Sequence, residues 1–186
     1  EPLSLEDAML ALDKAAKNDN IIGVYIEGGT LDATPGMLQE LRQAIVEFKE
    51  SGKWVIAYGD SYSESSYYLS SAADSVLLNP EGNVDFSGLS SQVMFYKDVL
   101  EKVGVKMQVF KVGTYKSAVE PFICTEMSPA NREQITSYLS SIWTNMLKDV
   151  AGSRNMEVSK LNSLADSMTM ISEASMAVNG GLVDRL

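Results

Sequence analysis

The chain has 186 residues, of which 45% are hydrophobic, and this is enough to bury one sizeable core in what we predict to be a single domain. Fifteen lysine and arginine residues against 25 aspartate and glutamate residues give a formal net charge of -10, so we expect no binding to nucleic acid. The absence of histidine excludes any mechanism that uses an imidazole of this chain, and the one cysteine, Cys124, excludes an internal disulfide.

The two ends of the sequence predict a fragment. The chain begins at Glu1 rather than at a methionine and ends on Leu186 without a polar tail. No apolar run approaches the roughly 20 residues that span a bilayer. We therefore predict a fragment of a longer protein, from which a membrane anchor or a second domain could have been left out.

The amino-terminal residues alternate between helical and strand patterns. Ser4 followed by Asp7 resembles a helix capping box, and apolar residues recur at helical spacing as far as Asn18. The β-branched run at residues 21–26 predicts a first strand that is covered on both faces. Thr34 and the proline after it predict the cap and the first position of a second helix.

The following residues predict more strands of the same sheet. Residues 53–58 predict a second strand, and small and aromatic residues at 67–73 predict a helix. Residues 75–78 predict a third strand, and residues 84–86 a short fourth one. Connections of these lengths suit right-handed crossovers between parallel strands.

The second half of the chain is predicted to be mainly helical. A helix from about Ser91 would turn Met94, Leu100 and Val103 inward, and alternating apolar residues at 107–111 predict another strand.

A long helix is predicted from Ser128 to Arg154, and its above-average length favours packing against a neighbouring domain. Shorter helices at 159–165 and 172–179 would close the chain, with Gly180 directly after the last of them. Alternating strands and helices with short connections predict an α/β fold with a mainly parallel sheet.

A loop at residues 112–122 reads Val-Gly-Thr-Tyr-Lys-Ser-Ala-Val-Glu-Pro-Phe and carries Lys116 near its centre. Gly113 ends the predicted strand and Pro121 prevents a helix from running through, so we expect a loop of defined shape. In a chain without histidine, an unprotonated lysine amine can remove the proton of a serine hydroxyl. The alternative from loop context is an ordinary, solvated lysine.

A lysine base must first lose its charge. Lowering a lysine pKa from about 10.4 to about 7.5 requires roughly 4 kcal/mol of bias against the charged form, which burial can supply. We expect four neighbouring side chains to bury the amine. We expect the Glu120 carboxylate to point away from it. The four neighbours are Tyr115, Val119, Pro121 and Phe122.

This loop resembles the lysine-bearing segment of the signal peptide peptidase A (protease IV) family of membrane-bound serine proteases. Residues 66–74, 79–80 and 180–184 also resemble that family, so the likeness spans nearly the whole chain. It implies an α/β fold similar to crotonases and to the Clp protease proteolytic subunit, with a mainly parallel sheet flanked by helices. It also implies that Lys116 is the general base, supported by Tyr115 and Ser117.

The nucleophile expected from the family is missing. In catalytic domains of the family a serine precedes a Gly-Gly-Tyr-Tyr-like segment, and laying that pattern on residues 65–68 puts Glu64 at the serine position. Tandem-domain members place the lysine in the amino-terminal domain and the serine in the carboxy-terminal one. The resemblance therefore implies that residues 1–186 are the lysine-donating half of a Ser-Lys protease, inactive when isolated.

The whole enzyme implied by the resemblance degrades cleaved signal peptides at the bacterial cytoplasmic membrane, with its catalytic part on the periplasmic face. Its expected partners are the carboxy-terminal domain, further protomers in a homo-tetramer, a peptide substrate and the membrane through an absent anchor. It implies no cofactor and no metal.

Three questions stay open in the sequence. Gly28 and Gly29 follow the first strand and either donate backbone N–H groups to an oxyanion or form a turn. The chain could be a non-catalytic scaffold or oligomerisation domain of the same fold. It could also be a crotonase-type acyl-coenzyme A enzyme with Glu64 as base, although it offers no obvious basic patch for a nucleotide.

Overall fold

The computed structural model describes residues 4–110, 113, 116–167 and 173–186. They form two compact units. The first comprises the described residues up to Gly88 and from Asn145 onward, and the second is Leu89–Thr144. The expectation that residues 1–186 are one domain, and half of a longer protease, stays a prediction.

A parallel sheet of three strands forms the centre of the first unit. Its strands are β1 (Gly23–Glu27), β2 (Trp54–Gly59) and β3 (Ser75–Leu78), hydrogen-bonded in that order. Along β2 the side chains of Val55 and Ala57 are fully buried and alternate with more exposed ones. These strands confirm the predicted α/β fold with a parallel sheet.

The first strand differs from its prediction. No residue of β1 is fully buried, and Tyr25 is 56% exposed. β1 pairs only with β2 among the described residues, so it is an edge strand, and Tyr25 and Glu27 on one of its faces are exposed. The prediction of a strand covered on both faces is therefore wrong for the described residues.

Side-chain caps set the starts of the first helices. Helix α1 (Leu5–Lys17) begins after Ser4, whose hydroxyl accepts from the Asp7 N–H at 3.1 Å, as the capping pattern predicted. Helix α2 (Pro35–Lys49) is capped in the same way by Thr34. Helix α3 (Glu64–Ser70) begins earlier than predicted, because Ser63 caps it through the Ser66 N–H.

Residues 84–86 do not form the predicted fourth strand. Val84 makes only an isolated bridge to Tyr62. The apolar pattern there instead marks burial, since Val84 and Phe86 are almost fully enclosed in the core of the first unit. Phe86 meets the ring of Tyr67 edge to face, with 5.5 Å between centroids.

The second unit is helical where it is regular. It contains α4 (Lys97–Lys102), a short 3-10 helix (Ser117–Val119), α5 (Glu120–Ile123) and the first part of α6 (Pro129–Arg154). Helix α4 starts later than predicted, and Met94 and Val103, expected to point inward, are 64% and 68% exposed.

The strand predicted at residues 107–111 is absent over residues 107–110, and Lys111 lies outside the described residues. A strand needs a neighbour to bond with, and alternation of apolar residues does not supply one.

Helix α6 confirms the predicted long helix, and its carboxy-terminal part buries Met146, Leu147 and Val150. Helices α7 (Val158–Asp166) and α8 (Ala174–Gly180) follow. The left-handed cap after α8 is Gly181, at φ 85°, rather than Gly180 as predicted. Over the part of the chain that the structure describes, no helix is long and apolar enough to cross a bilayer.

Candidate active site

The carboxyl ends of β1 and β2 bring two predicted site elements together. Gly28 and Gly29 follow β1, while the segment after β2 leads into α3. Parallel strands end at the same edge of a sheet, where ligand sites of α/β folds form. The Ser63 hydroxyl donates to the Gly29 carbonyl at 3.2 Å, so the glycine pair adjoins the start of α3.

The two glycines differ in what their backbones do. The Gly28 N–H donates to the Tyr58 carbonyl at 2.6 Å, and a Cβ at Gly28 would lie 2.5 Å from the Tyr62 ring. Gly28 therefore serves the turn and the close packing beneath it. The Gly29 N–H has no hydrogen-bond partner among the residues that the structure describes. Of the two glycines, Gly29 is therefore the candidate oxyanion donor.

Glu64 occupies the position that the sequence pattern assigns to a nucleophile. It is the first residue of α3, and its half-buried carboxylate accepts from the Gly88 N–H at 2.9 Å. Burial raises the pKa of Glu64, while the Gly88 N–H acts in the opposite direction. Glu64 thus holds the backbone at Gly88 in place through this hydrogen bond. Position 64 therefore offers no hydroxyl nucleophile.

Lys116 lies in the second unit and its side chain is exposed. It directly precedes the 3-10 helix that begins at Ser117, which is half-buried. Of the four expected walls, Val119 and Pro121 are half-buried and Phe122 is 39% exposed. Tyr115 lies outside the described residues. The described residues therefore do not bury the amine, and its predicted desolvation requires another chain segment.

Comparison with known proteins identifies the family. The sequence profile of peptidase family S49 matches residues 47–186, which include both the Glu64 segment and the Lys116 loop. The chain belongs to peptidase family S49. The predicted resemblance to the signal peptide peptidase A (protease IV) family is thereby confirmed, and the tandem-domain arrangement stays a prediction.

Two curated relatives of this S49 chain are much longer than it is. Protease 4 of Salmonella typhi is 37% identical over 190 aligned residues, which cover 98% of this chain and 31% of that protein. Protease 4 of Haemophilus influenzae is 38% identical over 164 residues, covering 86% of this chain and 26% of that protein. The chain thus spans less than one third of the length of these relatives.

A solved structure shares the fold of this S49 chain. A serine-to-alanine variant of the 1510-N membrane-bound stomatin-specific protease superposes with a TM-score of 0.53 at 13% identity. The match covers 98% of this chain and 73% of that one. Together with the parallel sheet, this likeness confirms the predicted fold class, a crotonase- and Clp-protease-like α/β fold.

A buried arginine that no sequence pattern singled out supports α3 of the S49 chain. Arg42 of α2 donates to the carbonyls of Tyr68 and Asp149, at 3.1 and 3.0 Å, and to the Ser71 and Ser153 hydroxyls. Its guanidinium lies 5.1 Å from the centre of the Tyr68 ring. Burial lowers the pKa of Arg42. The only sequence signal is a charged residue within the apolar stripe of α2.

The Tyr67 and Tyr68 pair that resembled the family is anchored in the core. The Tyr67 hydroxyl donates to the Leu182 carbonyl at 2.8 Å, and the Tyr68 hydroxyl donates to the Asp149 carboxylate. Both contacts link α3 to elements from the carboxy-terminal end of the chain. The orientation of α3, and with it the position of Glu64, is therefore set by long-range hydrogen bonds.

The stability of the Glu64→Gln variant is expected to increase relative to that of wild type as the pH rises. A carboxyl whose pKa is raised in the folded state binds its proton more tightly there than in the unfolded state. The contribution of Glu64 to the stability of wild type is therefore lost as the pH rises from about 4 through the folded-state pKa. Glutamine can still accept from the Gly88 N–H but does not ionise. Urea unfolding midpoints at pH 4 and pH 7 would measure the difference.

Two further variants make the Glu64 test specific. Glu64→Ala removes the acceptor for the Gly88 N–H and should lower the free energy of unfolding by about 1–2 kcal/mol. Glu81→Gln, at an exposed glutamate, changes the charge equally and should show no such pH trend. A wild-type protein that gains stability over Glu64→Gln between pH 4 and pH 7 would contradict the raised pKa.

Proposed function

We propose that this chain is the lysine-donating, amino-terminal part of an S49 Ser-Lys endopeptidase that degrades cleaved signal peptides. The observation that carries the proposal is the match to family S49 over residues 47–186. The roles given to Lys116 and Glu64 are those that the resemblance of the sequence implies. With Glu64 at the position where the family has its serine, the proposed base lacks its expected nucleophile, and the proposal takes that serine from elsewhere. That serine belongs to a carboxy-terminal domain in this proposal.

The proposed reaction is acyl transfer. The neutral amine of Lys116 takes the proton of the serine hydroxyl while the serine oxygen attacks the peptide carbonyl, and the leaving amine receives a proton. A water activated by the same amine then hydrolyses the acyl-enzyme. The exposed position of Lys116 supports a shared site, because the partner domain would supply both the serine and the surface that excludes water.

Exposed apolar side chains of the second unit support a partner surface. Phe110 is 90% exposed, and Val99 on α4 is 59% exposed. Both side chains would leave water if another protein or domain covered them. The partners proposed here are the carboxy-terminal domain of the same protein and further protomers of a homo-tetramer.

The setting of the proposed enzyme is the bacterial cytoplasmic membrane. Its catalytic part would lie on the periplasmic face, held there by an anchor outside these residues. The peptide substrate would be the apolar remnant left after signal peptide cleavage. The chemistry uses an amine and a hydroxyl, so the proposal includes no cofactor and no metal.

Mixing the two halves tests the proposal directly. This chain and the separately produced carboxy-terminal half would each be assayed alone and then together with a fluorogenic peptide of apolar sequence. Hydrolysis only in the mixture is the expected result. Full hydrolysis by the carboxy-terminal half alone would contradict the lysine-donating role.

A second candidate is a non-catalytic scaffold of the same fold. The engagement of Glu64 with Gly88 favours it, since the side chain at the expected serine position then serves the structure of this chain. In a scaffold, shortening the exposed first half of α6 would prevent assembly, while loss of the lysine would leave activity intact. Size-exclusion chromatography and peptide assays of the two variants separate the candidates.

A further inference from the structure

A buried carboxylate lies directly after the lysine loop. Glu120 is only 2% exposed. One of its oxygens accepts from the Ser128 hydroxyl at 2.6 Å, and the other accepts from the Ser128 N–H at 3.2 Å and from the Asn131 side-chain amide at 3.1 Å. Enclosing a carboxylate in this way is costly unless its hydrogen bonds are made. Its placement is therefore specific.

These bonds fasten the segment after the lysine to the start of α6. The Ser128 hydroxyl also accepts from the Asn131 N–H at 3.2 Å, so it caps α6 while donating to Glu120. Helix N-termini favour negative charge, which suits the carboxylate at this place. Residues at the start of α6 thus hold the Glu120 carboxylate in place.

The same bonds constrain the backbone next to Lys116. The Glu120 N–H donates to the Ser117 carbonyl, and Lys116 immediately precedes Ser117. A second hydrogen bond comes from the residue that precedes α4, since the Tyr96 N–H donates to the Pro121 carbonyl at 2.6 Å. The rings of Tyr96 and Phe122 stack with their centroids 6.1 Å apart. The chain that leaves Lys116 is held from two sides.

We propose that Glu120 is a positioning residue that sets where the Lys116 amine is presented to the serine. The inference rests on the proposed function, because it needs Lys116 to be the base. Glu120 touches no reacting atom in this scheme. It acts through the short backbone path from the start of α6 to the lysine, and a misplacement of about 1 Å can lower the rate about 100-fold.

Glu120→Gln in the full-length protein tests the inference. Glutamine keeps the size but is neutral, so the hydrogen bonds to Ser128 and Asn131 lose the charge that strengthens them and the segment is held less firmly. We expect kcat to fall about 10- to 100-fold with KM changed less than about 3-fold. The pH profile of kcat/KM should also move to higher pH, because a displaced amine is better solvated and holds its proton more tightly.

A rescue variant separates positioning from a general loss of structure. In Glu120→Gln/Asn131→Asp the glutamine amide can donate to the new carboxylate, which restores the contact with reversed polarity. We expect this double variant to recover at least about a third of wild-type kcat and the wild-type pH profile. Glu133→Gln, at an exposed residue of α6, makes the same charge change and should leave both unchanged.

The outcomes distinguish this inference from the proposed function. A Glu120→Gln protein with wild-type kcat and pH profile overturns the positioning role. A loss of kcat that only follows the fraction of folded protein overturns it equally. If Glu120→Gln does not fold, Asn131→Ala replaces it as the test, because it removes one of the hydrogen bonds to Glu120. The same changes in kcat and in the pH profile are then expected. Full activity of Lys116→Ala would overturn the proposed function itself.

Discussion

Lys116→Ala in the full-length protein is expected to lower kcat/KM for peptide hydrolysis by about 100- to 10,000-fold, which is the range that general bases contribute. The serine hydroxyl would lose the group that removes its proton. Lys116→Arg should lose as much activity, because a guanidinium stays protonated at working pH. Initial rates with a fluorogenic peptide, compared at equal concentrations of folded protein, measure the effect.

An exposed lysine of the same unit provides the control for this experiment. Lys106→Ala removes one positive charge from an exposed position and should retain wild-type rates. Because Lys116 is exposed in this chain, its replacement should also leave the unfolding midpoint of the isolated chain almost unchanged. Peptide hydrolysis by Lys116→Ala at the wild-type rate would remove the lysine from the mechanism and favour the scaffold.

Arg42→Ala is expected to lower the free energy of unfolding of the isolated chain by about 3 kcal/mol or more. The variant removes the guanidinium that donates to the carbonyls of Tyr68 and Asp149 and to the Ser71 and Ser153 hydroxyls, and a hydrogen bond from a charged group contributes about 1.5–3 kcal/mol. It also removes a cation–π contact with the Tyr68 ring. For a chain of this size the melting temperature should fall by about 10 °C.

Two further arginine variants test whether geometry or charge carries that stability. Arg42→Lys keeps the charge but lacks the planar fork, so it should recover only part of the loss. Arg132→Ala, at an exposed position, should change the free energy of unfolding by less than about 0.5 kcal/mol. An unchanged melting temperature for Arg42→Ala would show that these buried bonds contribute no net stability.

Local signals were sufficient for much of the fold. The Ser4 cap, the Thr34 cap and the strand at Ser75–Leu78 all appear where the sequence predicts them. Each of these features depends on residues a few positions apart, and that is the range in which caps and periodicity act. The motif loop around Lys116 was recognisable for the same reason, since its residues are contiguous.

The misplaced elements have a common cause. Alternating apolar residues at 107–110 indicated a strand, and helical spacing indicated that Met94 and Val103 point inward. Both patterns state that side chains favour an apolar environment. Neither states whether another segment of the same chain supplies it. In the described residues no such segment pairs with residues 107–110, and Met94 and Val103 remain exposed.

By itself, the sequence determined the family, the parallel α/β fold class and the acid-base chemistry open to a chain without histidine. Only the tertiary structure decided that Arg42 links Tyr68 of α3 to Asp149, which is 107 positions away from the arginine. It alone also decided that the Glu120 carboxylate is hydrogen-bonded to the first turn of α6. It also decided that the Lys116 amine is not enclosed by the described residues. The reason is physical: burial and hydrogen-bond partners are properties of several segments together, and no local pattern specifies which distant segment will provide them.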